Sequence, residues 1–176
     1  MFSIGFVSAI LAEHTLEHVF QYASQNGFSC IEIMCWPSVN QDTRRYAGVC
    51  HIDVDSLDAD TIAKIKNYQI KYKVTISALG YYPNPLDGDS AKSMFYIDHI
   101  IKVISACRAL DLPVMNTFVG RDHTRSVEYN IDRFKEIDCW RVQCARLHHH
   151  FLEISRSSEF LGLPRVLGIE DNKVRT

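Results

Sequence analysis

Apolar residues along the first 137 positions of this chain follow two alternating patterns. Short runs of consecutive apolar residues are typical of strands covered on both faces of a parallel sheet. They alternate with segments whose apolar residues recur every three or four positions, as along one face of a helix. The runs predict strands over residues 4–9, 30–35, 73–79 and 114–119. The periodic segments predict helices over residues 15–26, 56–68, 90–110 and 124–137.

This alternation of strands and helices predicts a fold of the α/β class. Successive strands of such a chain lie parallel and are joined by right-handed crossovers. The spacing of the units is that of a (β/α)8 TIM barrel, but a complete barrel usually needs about 250 residues. Because the chain has 176 residues, it has room for four to five parallel βα units. We therefore expect a partial barrel or an open sheet.

The composition indicates one globular domain. Hydrophobic residues make up 47% of the chain and charged residues 23%, which is enough to bury a core. A net charge of −2 gives no attraction to nucleic acid or to an acidic membrane surface. No Lys or Arg precedes the first apolar stretch, so we expect a strand there rather than a secretion signal, and no membrane span. The six cysteines form no CxxC pair, which predicts reduced thiols and a cytoplasmic location.

Charged residues directly follow the last of the four predicted strands. In the stretch NTFVGRDHT, residues 116–124, an apolar run ends in a glycine and is followed by Arg121, Asp122 and His123. Parallel strands present functional side chains at their carboxyl ends, so this is a candidate site. The planar guanidinium of Arg121 suits a phosphate or carboxylate, with an ion pair to Asp122 or Asp87 as the alternative. His123 is predicted to contact a substrate or a metal, or else to cap the next helix.

Other candidate binding residues lie within or after the second and third predicted strands. Glu32 stands inside the apolar run CIEIMC, where an unpaired carboxylate would be costly, so it should face a polar mouth or a partner. Tyr81, Tyr82 and Asn84 belong to the loop YYPNPLDGD, whose prolines fix the backbone. With Trp36, which follows the second strand, these residues are predicted to form a rigid wall for a ligand. The alternative for all four is structural packing.

Four stretches carry a resemblance to a known family: IGFVSA, GFSCIEIMCWP, ISALGYYPNPLDGD and LPVMNTFVGRDHTRSVEYNIDRFKEI. They resemble the amino-terminal half of the sugar phosphate isomerase/epimerase family, the xylose-isomerase-like TIM barrels. The resemblance implies that residues 1–137 form half of a TIM barrel. It also implies a small-molecule sugar or sugar phosphate as substrate, and proton transfer at a carbon next to a carbonyl. Substrate binding is then expected at Glu32, Trp36, Tyr82, Asn84, Arg121 and His123.

The resemblance further implies a divalent metal ion, held in this family by carboxylates and histidine at the ends of strands five to eight. Manganese, magnesium, cobalt and zinc suit such ligands. Residues 138–176 are predicted to be a divergent carboxyl-terminal segment with a helix and a fifth strand. Its stretch VLGIEDN resembles the family's fifth strand and makes Glu170 a metal ligand, with a chance match as the alternative. With most ligands missing, the chain is expected to be weak or inactive alone.

Two other functions remain as alternatives. An endonuclease-IV-like metal nuclease would need a basic DNA-facing surface and more histidines at strand ends, and the sequence shows neither. A non-catalytic half-barrel would leave the edges of its first and last strands unpaired, which favours self-association as a homodimer.

Overall fold

A computed structural model describes residues 3–37 and 47–137 of the chain. Four strands alternate with four helices, and a short 3-10 turn, Ser8–Leu11, follows the first strand. The strands are β1 Gly5–Val7, β2 Cys30–Met34, β3 Thr75–Gly80 and β4 Met115–Asn116. The helices are α1 Leu16–Gln25, α2 Ala59–Tyr72, α3 Ser90–Ala109 and α4 Val127–Glu136.

The four strands form one sheet in the order β1-β2-β3-β4, and each neighbouring pair is parallel. This confirms the predicted class and topology, four βα units of a partial (β/α)8 barrel. Across the sheet, Glu32 of β2 pairs with Ala78 of β3, and Gly80 of β3 pairs with Asn116 of β4. This register brings side chains from three neighbouring segments together at the carboxyl ends of the strands.

The two faces of the sheet differ in burial. Ile31 and Ile33 of β2 are fully buried, and Ile76 of β3 is nearly so, while α1 contacts β2 and α3 contacts β3 and β4. At the alternate positions, Val7 of β1 is exposed and Glu32 of β2 is half-buried. Because side chains alternate between the faces of a strand, the helices cover one face only. The opposite face is called the inner face below.

Each helix begins where a side-chain oxygen caps its first turn. Thr15, Asp58, Asp89 and Ser126 accept hydrogen bonds from backbone N–H groups two or three residues further on. Such caps satisfy donors that the helix itself leaves unpaired. The positions of these capping residues correct two of the predicted helix ranges. Helix α2 begins at Ala59 rather than 56 and runs on to Tyr72, and α4 begins at Val127 rather than 124.

Strands β2 and β3 are each one residue shorter than predicted, and β1 and β4 are shorter by several residues. Strand β1 ends at Val7 because the chain turns into the 3-10 turn, where buried Ser8 accepts a hydrogen bond from the Met34 amide at 2.9 Å. Strand β4 was predicted over 114–119 but covers only Met115–Asn116. Its partner β3 ends at Gly80 and leads into a loop with two prolines, so the ladder stops there.

The remaining predictions concern thiols, membrane spans and the carboxyl-terminal segment. The described cysteines, 30, 35, 50 and 107, are free thiols, as predicted. No helix within residues 3–37 and 47–137 has the length and apolarity needed to cross a bilayer. The predicted segment 138–176, which includes Glu170, lies outside the described residues.

Candidate active site at the carboxyl ends of the strands

The carboxylate of Glu32 is the centre of a hydrogen-bonded group on the inner face. The Tyr82 hydroxyl, just beyond β3, donates to its Oε1 atom. The side-chain amide of Asn116, from β4, donates to its Oε2 atom at 2.7 Å. Glu32 is half-buried, so the expectation that this carboxylate needs a partner is met by two neutral donors. These donors orient the carboxylate without neutralising its charge.

Gly80 makes room for this carboxylate. A Cβ atom built at position 80 would lie 2.5 Å from Glu32 Oε1, 3.1 Å from the Met34 sulfur and 3.2 Å from the Tyr82 ring. Real Cβ atoms do not approach an oxygen that closely. The glycine at the end of β3 therefore allows the side chains of β2 and the following loop to meet over the strand.

The Tyr82 hydroxyl remains a hydrogen-bond donor at physiological pH. Burial and the hydrogen bond to Glu32 raise the pKa of Tyr82 well above its ordinary value of 10. The tyrosinate form would have to sit partly buried beside a carboxylate, which is unfavourable on both counts. The ring itself lies 4.9 Å from the ring of Phe118, which is 52% exposed. Glu32, Tyr82, Asn116 and Phe118 are called the Glu32 cluster below.

The Asn84 side chain is hydrogen-bonded to the backbone of Arg121 and not to its guanidinium. The Asn84 amide donates to the Arg121 carbonyl at 3.0 Å, and the Arg121 N–H donates to Asn84 Oδ1 at 2.8 Å. Gly120 has a φ of +70°, and a Cβ atom there would collide with the Asn84 side chain. Asn84 thus fixes the position of the loop after β4, and its amide is largely used for that purpose.

The Arg121 and His123 side chains form an exposed pair on this loop. The Arg121 Nε–H donates to His123 Nδ1 at 3.0 Å, which leaves the proton of the neutral imidazole on Nε2. This contact replaces the alternative ion pair of Arg121 with Asp122 or Asp87. The Arg121 and His123 side chains follow β4 and therefore lie at the same end of the strands as the Glu32 cluster, since all four strands are parallel.

Asp122 stabilises the turn between β4 and α4. Its carboxylate accepts bonds from the Thr124 N–H at 2.9 Å and the Thr124 hydroxyl at 2.7 Å. Its own N–H donates to Asn130 Oδ1 at 2.6 Å. The bonds from Thr124 lower the pKa of Asp122. An apolar pocket of about 290 Å³ lies beside this turn and includes Val119, Val127 and Ile131 in its lining.

Trp36 does not join the other candidate residues. It is 3% exposed and packs edge-on against the buried ring of Tyr81, 4.9 Å between centroids. So little exposed surface makes contact with a ligand difficult, and the structural alternative describes its position better. Its predicted binding role is tested by no observation.

Sequence reasoning missed two members of the Glu32 cluster and one buried histidine. Asn116 and Phe118 fall within the apolar run predicted as a strand. The polar side chain of Asn116 in that run is the one sequence signal that could have identified it, and Phe118 has none. His99, on α3, is 3% exposed and its Nε2 lies 2.8 Å from the Cys35 carbonyl. An isolated histidine in a helix carries no signal for such a contact.

The described residues do not form a metal site by themselves. Within residues 3–37 and 47–137 there is no group of three or more His, Cys, Asp or Glu side chains placed to hold an ion. The one carboxylate of the Glu32 cluster is bonded to two donors, whereas a metal ligand set consists of acceptors. Glu170 lies outside this part of the chain.

A parallel sheet in chain order, with polar side chains at its carboxyl ends, is half of a known architecture. The family described as xylose isomerase-like TIM barrel matches residues 20–149. The chain belongs to this xylose isomerase-like family. The match begins within α1 and covers the three following βα units. Strand β1 precedes the matched residues and is seen in the structure. No characterised protein matches the chain closely.

Membership in the xylose isomerase-like family suggests a sugar isomerase, an epimerase or a related enzyme. The family generally acts on small sugar molecules and often uses divalent metal ions. The carboxyl-end position of the Glu32 cluster is where TIM barrels carry their active sites.

Proposed function

We propose that this chain binds a small sugar or sugar phosphate on the inner face, with the hydroxyl groups of the sugar held by the Glu32 cluster. The observation that carries the proposal is the Glu32 carboxylate held between Tyr82 and Asn116. An oriented carboxylate and amide accept and donate hydrogen bonds to sugar hydroxyls. The exposed ring of Phe118 offers an apolar surface to the C–H face of a sugar.

A phosphate group on the sugar would find its partner on the loop after β4. The guanidinium of Arg121 is exposed and is oriented by its bond to His123. A planar guanidinium donates to phosphate oxygens in pairs. The loop itself is held by the two bonds between Asn84 and the Arg121 backbone. Asn84 is therefore proposed to act by positioning Arg121.

The proposed reaction class is proton transfer next to a carbonyl, interconverting an aldose and a ketose or two epimers. In that chemistry a divalent ion polarises the carbonyl when it is bound. In this chain, Glu32 would accept from a sugar hydroxyl, while the single proton of the Tyr82 hydroxyl stays in its bond to Glu32 and keeps that carboxylate oriented. Because the described residues do not supply a ligand set for the ion, we propose that the chain alone binds sugars but converts them weakly or not at all.

Saturation-transfer NMR with a panel of aldoses, ketoses and their phosphates tests the binding proposal. Tyr82→Phe removes a hydroxyl that donates to Glu32, and we expect roughly 10- to 150-fold weaker binding, since a hydrogen bond to a charged group is worth roughly 1.5–3 kcal/mol. Tyr72→Phe is the matched control. Its hydroxyl donates to Glu17 at 2.9 Å on the helical side of the molecule. Equal effects of the two substitutions, or no sugar binding at all, would contradict the proposal.

Turnover assays with added manganese, magnesium, cobalt or zinc test the catalytic part. We expect conversion of aldoses and ketoses to stay at background, and Glu170→Ala to change nothing measurable. Robust turnover that Glu170→Ala abolishes would show that the chain holds a working metal site, with further ligands coming from another copy.

A second candidate function is that of a half-barrel that self-associates. Val119, in the loop after β4, and Val127 and Ile131 of α4 are each about half exposed. Apolar side chains grouped in this way often mark an interface between protein chains. Sedimentation at several concentrations tests this candidate. A dimer weakened by Val127→Lys would support it, and a monomer at every concentration would exclude it.

A further inference from the structure

Cys35 and Cys50 face each other across an isolated antiparallel bridge outside the parallel sheet. Two backbone hydrogen bonds flank the pair, each from the residue after one cysteine to the residue before the other, at 3.3 and 2.9 Å. This pattern defines a non-hydrogen-bonded antiparallel pair. In such pairs the two Cα atoms lie about 4.5 Å apart and both side chains point to the same side.

That geometry lies within the range of a disulfide, in which Cα atoms are usually about 4.4–6.8 Å apart. Both side chains are free thiols in the structure. We infer that Cys35 and Cys50 are the site of a reversible intramolecular disulfide, formed by exchange with a small disulfide such as oxidised glutathione. The bond would tie the carboxyl end of β2 to the segment that leads into α2.

The different exposure of the two thiols fixes the order of the steps. Cys50 is exposed and Cys35 is fully buried, so the small disulfide can reach only Cys50. The Cys50 thiolate attacks one sulfur of the disulfide, the S–S bond breaks, and one glutathione thiolate leaves. The Cys35 thiolate then attacks Cys50 Sγ and expels the second glutathione. Two electrons pass from the protein to the small disulfide, and the two thiol protons end on the released glutathione.

The exchange is expected to be slow at neutral pH. Burial and the nearby carboxylates of Asp53 and Asp55 raise the pKa of the Cys50 thiol to about 11, and burial raises the pKa of Cys35 well above its ordinary value. Since the thiolate is the attacking species, the rate should rise about tenfold per pH unit below that pKa. The pair is therefore a slow cross-link rather than a fast peroxide sensor.

Peptide mapping after oxidation identifies the bond directly. The first Lys or Arg of the chain is Arg44, so trypsin separates Cys35 from Cys50 by cleavage at Arg44 and Arg45. We would incubate the whole chain with oxidised glutathione at pH 9, block remaining thiols with N-ethylmaleimide at low pH, and digest. A Cys30→Ser background removes the other cysteine of the first peptide.

In this background we expect one linked pair of peptides, 1–44 with 46–64, that dithiothreitol separates and that Cys50→Ala abolishes. The oxidised chain should unfold at a temperature higher by roughly 5–10 °C, because the bond closes a loop. Cys107→Ala is the control, and it should leave the linked pair unchanged. A stable mixed disulfide of Cys50 with glutathione, or linkage of Cys50 to Cys139 or Cys144 instead, would overturn the inference.

Discussion

Glu32 shows how one charged residue can occupy an otherwise apolar strand. Its neighbours Ile31 and Ile33 are buried under the helices, while its own side chain lies on the inner face between two hydrogen-bond donors. Those donors come from a different strand and a different loop, and Gly80 leaves the space in which they meet. The chemistry at this position therefore depends as much on a missing side chain as on the residues present.

Gly80→Ala is predicted to disturb the Glu32 cluster. The added methyl group would overlap Glu32 Oε1, so the carboxylate must move away from Tyr82 or the strand must shift. We expect a loss of roughly 1–3 kcal/mol in the free energy of unfolding, as for other overpacked sites, measured by urea denaturation. Ser77→Ala, at an exposed position of the same strand, is the control and should change stability by less than about 0.5 kcal/mol. A Gly80→Ala protein as stable as the wild type would contradict this account.

The loops after β3 and β4 are positioned by one another. The Asn84 amide binds the Arg121 backbone in both directions, and Gly120 allows the close approach by its left-handed backbone and its lack of a Cβ atom. At this scale the helices and strands provide a frame, and paired side-chain-to-backbone bonds between loops set the location of Arg121.

Comparing Gly120→Ala with Gly27→Ala separates the cost of backbone strain from the cost of a steric clash with a neighbouring side chain. Both glycines have a left-handed φ, +70° and +76°, but a Cβ atom at Gly27 would meet no atom within 4 Å, while one at Gly120 would meet Asn84. We expect Gly27→Ala to cost about 1–2 kcal/mol for the strained backbone alone and Gly120→Ala to cost clearly more. If the two substitutions lower the free energy of unfolding equally, the Asn84 side chain moves away from the added methyl group without destabilising the protein, which would contradict this prediction.

Much of the element level could be predicted from the sequence, because buried parallel strands and amphipathic helices leave distinct periodicities. The four strands, their order and the limits of α3 were predicted on that basis. Asn116, which donates to Glu32, and Phe118, which packs against Tyr82, were missed, because within an apolar run the sequence does not show which residues will face those of the neighbouring strand and loop. Trp36 was predicted at the site; it is 3% exposed and packs against Tyr81, and its binding role stays a prediction, because a position after a strand does not specify which way a side chain turns.

At the scale of the whole molecule, two histidines link stability to pH. His99 is 3% exposed and His51 is half-buried, with its ring nitrogens 3.0 Å from Ser8 Oγ and 3.2 Å from the Leu11 carbonyl. Burial lowers the pKa of both below the ordinary value of 6.5. The unfolded chain therefore binds protons that the folded chain does not, over a window that opens at pH 6.5 and extends downward.

We predict that stability is fully retained above pH 6.5 and falls as the pH drops below that value, before the carboxylates titrate. Asp58 and Asp122, whose pKa values are lowered below 3.8 by hydrogen bonds, add a second loss only in more acidic solution. His99→Gln should flatten the first part of the unfolding curve measured against pH. His18→Gln, at an exposed ring, is the control. A stability curve that is level from pH 7 to 5 would refute the role of the buried histidines.

The order of the strands has a consequence for how the chain folds. Each strand pairs with the next one along the chain, so each pairing can form once the next unit is available, but every parallel connection runs through a whole helix and is slower to close than a hairpin. During synthesis the amino-terminal units emerge first, and the sheet can grow by one unit at a time on the ribosome, from β1 towards β4. The edge of β4 is then the last part of the described sheet to form.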